Sequence, residues 1–140
     1  MAGSSSRVRY KPAPDWEALG DGIHARRMVE GNGASIILYR LDGGRKFERH
    51  AHPFPELGVV LAGQGRVVID DETRALRAGD SYFIPGSVPH GFEVDGADSV
   101  VLMNVTVPVP PDLPGPPATE VLQQAKEIVR RSVSAPEPAA

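Results

Sequence analysis

Two of the four histidines in this sequence lie close to an acidic residue in an arrangement that could bind a metal ion. His50 and His52 are two residues apart, and Glu56 follows after a short segment that contains two prolines. Residues i and i+2 of a strand project from the same face, so both imidazoles can reach one point, and Glu56 at the start of the next strand can add a carboxylate oxygen. Two imidazoles and one carboxylate suit borderline divalent metals such as Fe, Mn, Ni, Zn or Cu(II).

A later segment supplies a fourth candidate ligand. From Gly79 the chain reads as a Gly-Asp turn, a short strand and a Pro-Gly bend at Pro85, and His90 then lies on the returning strand. The remaining histidine, His24, lies on the first strand and outside both segments. We expect His24 to be a structural histidine that leaves metal content unchanged when it is replaced.

The spacing of these residues resembles the two sequence motifs of the cupin superfamily. The first motif, G-x5-H-x-H-x3-E-x6-G, is matched at every named position from Gly44 to Gly63. The second, G-x5-P-x-G-x2-H-x3-N, is matched at Gly79, Pro85 and His90. The resemblance covers about residues 23–107, which is most of the chain expected to be ordered.

Two positions depart from the second motif without touching the ligand set: Ser87 stands at its second glycine and Val94 at its final asparagine. The resemblance implies an all-β fold, a conical cupin barrel of the jelly-roll type. It also implies one divalent transition metal (Fe, Mn, Ni, Zn or Cu) with one or two positions open for water or ligand. The ligands carried over are His50, His52, Glu56 and His90.

Strand alternation gives a first list of residues for a substrate pocket. Gly58 and Val60 share the face of Glu56, and Phe92 shares the face of His90. Gly58 would leave space near the metal. The last strand offers the interior either Val101, Met103 and Val105 or Leu102, Asn104 and Thr106, so Met103 and Asn104 both remain candidates.

Two side chains are candidates for proton transfer beside the metal. Glu48 shares strand parity with His50, and Tyr82 lies on the strand before the Pro-Gly bend. Phe47, Tyr82 and Phe83 could also add apolar surface to the pocket.

Short runs rich in Val, Ile, Leu, Tyr and Phe recur between glycine or aspartate turns, as in an antiparallel sandwich or barrel. Each run has strand length, and none has a helical period. The predicted strands are residues 23–29, 34–41, 56–62, 66–69, 73–76, 81–84, 91–94 and 99–107.

The ends of the chain differ from this β-rich part. Residues 1–14 are predicted to be a flexible arm, 15–107 the barrel, 108–117 a proline-rich connector and 132–140 a disordered tail. Residues 118–131 predict an amphipathic helix with Thr119 as its N-cap. Its apolar positions are Val121, Leu122, Ala125, Ile128 and Val129.

Composition excludes several functions. The 140 residues suit one domain, and the absence of cysteine excludes thiol chemistry and disulfides. Fifteen basic against eighteen acidic residues give a net charge of −3, which argues against nucleic acid as a partner. No apolar run is long enough for a membrane span, so we expect a soluble, cytoplasmic protein.

We expect a homodimer, because small barrels leave apolar sheet faces that pairing can cover.

The expected function is metal-dependent catalysis on a small, oxygenated, partly apolar metabolite, such as an enol, keto or phenolic compound. The metal would act as a Lewis acid in isomerisation, cyclisation or ring opening. Two alternatives remain: an Fe(II)-dependent dioxygenase and a non-catalytic binding or sensing protein. Small cupins of sugar-acid breakdown and of polyketide pathways look most similar. The first group typically has an arginine near the end of the last strand, and residues 103–110 contain none.

Overall fold

A computed structural model describes residues 8–107 and 118–134. In chain order the elements are β1 (Glu17–Gly20), β2 (Ile23–Gly31), β3 (Ala34–Leu41), β4 (Lys46–His50), β5 (Glu56–Ala62), β6 (Gln64–Ile69), β7 (Glu72–Arg77), β8 (Ser81–Ile84), β9 (His90–Glu93), β10 (Val100–Thr106) and α1 (Ala118–Ser134). Six strands form one antiparallel sheet in the order β1-β2-β3-β10-β5-β8, and four form a second in the order β4-β9-β6-β7. The predicted all-β jelly-roll architecture with one C-terminal helix is confirmed.

The described residues contain two strands that were absent from the predicted list, β1 and β4. Neither has the apolar content that identified the others, because β1 reads EALG and β4 reads KFERH. Residues 8–14 of the arm have no regular secondary structure. The connector, residues 1–7 of the arm and residues 135–140 of the tail lie outside the described residues.

Strand pairing fixes the side chains that the larger sheet presents to the interior. One row runs Ile37, Asn104, Gly58, Tyr82 across β3, β10, β5 and β8, and the next row runs Ser35, Thr106, Glu56, Ile84. Leu102, Asn104 and Thr106 are therefore the inward set of β10. Met103 lies on the outer face opposite Leu38 and Val59, so its assignment to the pocket is wrong.

Gly58 makes room for a side chain of the protein itself. Tyr82 pairs with Gly58 across β8 and β5, and a Cβ atom built at Gly58 would lie 2.1 Å from Cζ of Tyr82. The phenol ring therefore lies over the glycine and reaches Asn104, two strands away from β8, to which its hydroxyl donates a hydrogen bond of 2.6 Å. The space expected near a metal is filled by this ring.

Helix α1 packs against β1, β2, β3 and β4 through its apolar stripe. Val121, Leu122, Ala125 and Val129 are buried in the same core as the sheets. The helix begins at Ala118 and not after Thr119, and the carboxylate of Glu30 accepts a hydrogen bond of 3.0 Å from the Ala118 amide. It also continues to Ser134, so residues 132–134 are helical and not part of a disordered tail.

Among the described residues, no helix has both the length and the apolar character needed to cross a membrane.

Replacement of Gly58 by Ala should lower the free energy of unfolding by about 1–3 kcal/mol, because the new methyl group overlaps the Tyr82 ring. Gly31→Ala is the matched control, since only Arg9 Nη1 lies near it, at 3.9 Å. Urea denaturation of both variants measures the difference, and equal losses would contradict the overlap. In a Tyr82→Ala background the penalty at position 58 should disappear.

Candidate metal centre

The three predicted histidine ligands meet although they come from different parts of the chain. His50 ends β4, His90 begins β9, and the two pair directly across these strands. His52 lies in the loop that follows β4, not on the strand as expected. One ring nitrogen from each of the three histidines lies within 4.8 Å of the other two, a spacing at which a single metal ion could be held.

An irregularity in β4 explains which residues of this strand face inward. The pairing of β4 with β9 shifts register between Phe47 and His50, so both side chains line the same cavity although they are three residues apart. Simple alternation would have placed Glu48 beside His50. Its carboxylate instead lies 3.3 Å from Lys46 Nζ and is absent from the cavity wall. The expectation that Glu48 is a base at this site is therefore corrected.

Each histidine is oriented by a backbone carbonyl. The Nδ1 atoms of His50, His52 and His90 lie 2.7, 2.7 and 2.8 Å from the carbonyl oxygens of Glu48, Phe54 and Val88. A carbonyl can only accept, so each Nδ1 carries the proton and donates it. The Nε2 atoms are left to face the centre. Those of His50 and His90 carry no proton, which is the tautomer that metal-bound histidines require, whereas Nε2 of His52 shares a proton with Glu56.

Glu56 adds negative charge to the three rings. Its carboxylate oxygens lie 2.8 Å from His52 Nε2 and 3.7 Å from His90 Nε2. Burial opposes the charged form of His52, but the hydrogen bond with Glu56 and its negative charge raise the pKa of His52 above its usual value. Burial would raise the pKa of Glu56, yet the hydrogen bond from His52 and the nearby imidazoles hold it below its usual value.

The other two rings are neutral. Burial lowers the pKa of His50 to about 4, and it also lowers the pKa of His90. Nε2 of His90 is buried and has no hydrogen-bond partner among the described residues. A buried polar atom without a partner is costly, so this nitrogen needs a cation or donor that the protein does not supply.

The donor set fits a divalent transition metal. His50 and His90 offer free lone pairs, and loss of the proton shared by His52 and Glu56 would leave both of these side chains able to hold a metal ion. The ligands are then three imidazole nitrogens and one carboxylate oxygen, a set of intermediate hardness that accepts several first-row metals. The three histidines converge, and Glu56 lies beside them through its hydrogen bond to His52, while its role as a fourth ligand stays a prediction.

A cavity of about 50 Å³ adjoins the histidines. Its walls are mainly apolar and aromatic, with Phe47 and Phe92 from one sheet and Phe54 from the loop after His52. Helix α1 closes one side through Val121, Gln124, Ala125 and Ile128. The result is a polar centre at one end of a narrow apolar chamber.

The predicted pocket residues are distributed unevenly around this cavity. Phe92 and Asn104 line it, whereas Val60 is buried in the core and Gly58 is covered by Tyr82. Phe83 is 57% exposed on the outer face of β8 and adds nothing to the wall.

Tyr82 lines the cavity, but its environment does not suit a base. Burial, together with the negative charge of Glu56, raises the pKa of its hydroxyl far above the usual value. The hydroxyl is protonated and already donates to Asn104. Tyr82 therefore acts as a fixed hydrogen-bond donor, which corrects its assignment as a proton acceptor.

Sequence reasoning missed Tyr39 and the four cavity residues of α1. Tyr39 alternates inward on β3 with the buried residues Ile37 and Leu41, and this alternation could have placed it inside. Nothing in the amphipathic pattern of α1 indicates which part of the sheet the helix covers. His24 is not among the three histidines that converge; it pairs with Arg40 on β3.

The chain is similar to curated proteins that include a pectin degradation protein and an isomerase. The chain is 31% identical over 77 residues to the pectin degradation protein KdgF of Dickeya dadantii, covering 54% of this chain and 70% of that protein. It is 26% identical over 97 residues to the H2HPP isomerase of Bacillus subtilis, covering 69% of this chain. The match spans only 41% of the Bacillus protein's length.

Among solved structures, an RmlC-like cupin from Shewanella frigidimarina superimposes with a TM-score of 0.61 at 25% identity. The superposition covers 66% of this chain and 81% of the Shewanella chain. The family model described as "Cupin domain" (Cupin_2) matches residues 37–106, from the middle of β3 to the end of β10. These residues include all four candidate ligands, and the chain belongs to the Cupin_2 family.

Proposed function

We propose that this protein is a metal-dependent enzyme that acts on a small, oxygenated, partly apolar metabolite such as an enol, keto or phenolic compound. The observation that supports this most directly is the convergence of three histidines whose Nδ1 atoms are held by carbonyls and whose Nε2 atoms face one point. The named relatives are a pectin degradation protein and an isomerase, which supports enzymatic activity. The proposed reactions are isomerisation, cyclisation or ring opening.

His50, His52, Glu56 and His90 would hold the metal. A bound divalent ion supplies Lewis acidity, which stabilises negative charge that develops on a substrate oxygen. Because burial keeps His50 and His90 neutral, both rings are ready to bind without first losing a proton.

The rest of the cavity binds and orients the substrate. Phe47, Phe54 and Phe92 offer apolar surface to the carbon skeleton. Tyr82 and Asn104, bonded to each other, present a fixed polar edge in which the phenol keeps its proton. Helix α1 covers one side of the chamber and limits its contact with water, which strengthens electrostatic interactions inside it.

The histidines should be required for metal uptake. His50→Ala and His90→Ala each remove one neutral imidazole, so we expect metal affinity to fall about tenfold or more in each variant. Elemental analysis after dialysis against Zn(II), Ni(II), Mn(II) or Fe(II) measures the content. His24→Ala is the matched control and should keep the wild-type content. Full occupancy in both variants would contradict this centre.

Glu56→Gln keeps the shape of the side chain but removes its charge, so we expect metal affinity to fall in this variant as well. The same elemental analysis measures the difference from wild type.

Incubation of the metal-loaded wild-type protein with candidate enols and catechols tests the reaction. Oxygen consumption by the iron-loaded protein would favour the dioxygenase alternative. Tight binding of a compound that is recovered unchanged would favour the non-catalytic alternative.

The protonated state of Tyr82 can be tested by alkaline unfolding. Its pKa is raised in the folded protein relative to about 10 in an unfolded chain, so above pH 10 the unfolded state loses a proton that the folded state keeps. This stabilisation is complete below pH 10 and is lost as the pH rises further. Between pH 9 and 11, wild type should lose about 1.4 kcal/mol more stability than Tyr82→Phe. Identical losses would show that the phenol ionises freely.

The homodimer remains a proposal and rests on the outer face of the larger sheet. Leu57 and Phe83 pair across β5 and β8, and with Leu61 they are exposed on this face. Three large apolar side chains on one sheet face favour pairing with a second copy. Light scattering at micromolar concentration should give the mass of a dimer, and Leu57→Glu with Phe83→Glu should give a monomer. Val8→Glu, on the exposed arm, should leave the mass unchanged.

A further inference from the structure

Tyr39 is a buried residue, and no hydrogen bond among the described residues involves its hydroxyl, whose oxygen is not itself fully buried. Its side chain lies on the inward face of β3 and the residue is only 5% exposed. Buried tyrosine hydroxyls usually find a partner, as Tyr82 does with Asn104. Because Tyr39 lines the cavity beside the histidines, a ligand in that cavity could supply the missing acceptor.

The ring of Tyr39 is held in place by contacts that do not involve its hydroxyl. Its ring and that of Phe47 form a T-shaped pair with a centroid distance of 5.2 Å and an interplanar angle of 84°, and the ring centroids of Phe47 and His50 are 6.0 Å apart. The aromatic pair therefore links Tyr39 to the metal centre. Removal of the hydroxyl alone should leave this packing intact.

The hydroxyl keeps its proton near neutral pH and can therefore donate it to a ligand. Burial, with added effects of the negative charge of Glu56 and of Tyr82, raises the pKa of Tyr39 far above its usual value. A phenol that keeps its proton complements an oxygen that carries negative charge. An apolar group at the same place would leave the hydroxyl unsatisfied, at a cost in affinity.

We propose that Tyr39 recognises the ligand by donating a hydrogen bond to an oxygen of a compound bound at the histidine centre. This inference rests on the proposed function and narrows its substrate class to compounds with at least two oxygen atoms. One oxygen lies at the centre formed by His50, His52, Glu56 and His90, and the other accepts from Tyr39. The aromatic walls contact the carbon atoms between and beyond them.

Acetohydroxamate is a suitable probe because it carries two oxygens on five non-hydrogen atoms. The cavity of about 50 Å³ has room for roughly three to five water-sized groups. The wild-type protein is loaded with Co(II), and acetohydroxamate binding is followed by the visible absorption of the metal and by the near-ultraviolet absorption of tyrosine.

Tyr39→Phe should bind acetohydroxamate about tenfold more weakly, which is the effect of one hydrogen bond to a charged oxygen. Its Co(II) content and thermal midpoint at neutral pH should equal those of wild type. Probe binding should perturb tyrosine absorption more in wild type than in Tyr39→Phe, where Tyr82 is the tyrosine that still lines the cavity. Tyr10→Phe is the matched control, since Tyr10 is 89% exposed on the arm, and it should behave as wild type in every measurement.

The possible failures are distinct. Unchanged probe affinity in Tyr39→Phe, or no tyrosine perturbation in wild type, would overturn the role of Tyr39 while leaving the proposed metal centre in place. A lower thermal midpoint with unchanged affinity would assign Tyr39 a purely structural role. Failure of wild type to take up Co(II) would instead overturn the proposed function, and the recognition role with it.

Discussion

Three backbone carbonyls orient the histidines of the candidate metal centre. The carbonyls of Glu48, Phe54 and Val88 each hold one imidazole proton, and so all three Nε2 atoms face a common point. These carbonyls belong to the end of β4, the following loop and the turn before β9, so the fold itself sets the protonation pattern. The carbonyls therefore hold all three rings in one orientation, and they hold His50 and His90 in the tautomer that leaves Nε2 without a proton. The conformational entropy of the three rings is therefore lost when the protein folds and not when a ligand binds to them.

Spacing in the sequence was sufficient to predict the four candidate ligands, because they fall in two short motifs whose geometry depends mainly on local turns. Most strands were predictable for a similar reason, since alternation and turn residues are local patterns. The assignment of Glu48 failed because a shift of register in β4 breaks alternation, and such shifts leave little trace in sequence. The inward set of β10 was undetermined because both of its faces are apolar enough to be buried.

Contacts between distant elements account for the remaining errors. Gly58 was interpreted as space for a ligand, but whether that space is free depends on Tyr82, which is 24 residues away in the chain and directly opposite in the sheet. The position of α1 over the cavity also depends on tertiary packing, to which helical periodicity gives no guide. Tyr39 was overlooked because an inward tyrosine in an apolar strand resembles an ordinary core residue, and only the absence of a partner for its hydroxyl distinguishes it.

Helix α1 lies C-terminal to the residues matched by the family model, yet it forms part of both the core and the cavity wall. Val121 and Ala125 serve in both, so a displacement of the helix that enlarges the cavity for a bigger ligand would expose apolar surface. Re-exposing a side chain such as Val121 costs about 1.5–3 kcal/mol. The measured affinity for such a ligand is then its intrinsic affinity multiplied by the small population of molecules with the helix displaced. The packing of helix α1 thus sets a free-energy penalty for ligands larger than the cavity, and a mutation that strengthens this packing would weaken the binding of bulky compounds while sparing small ones.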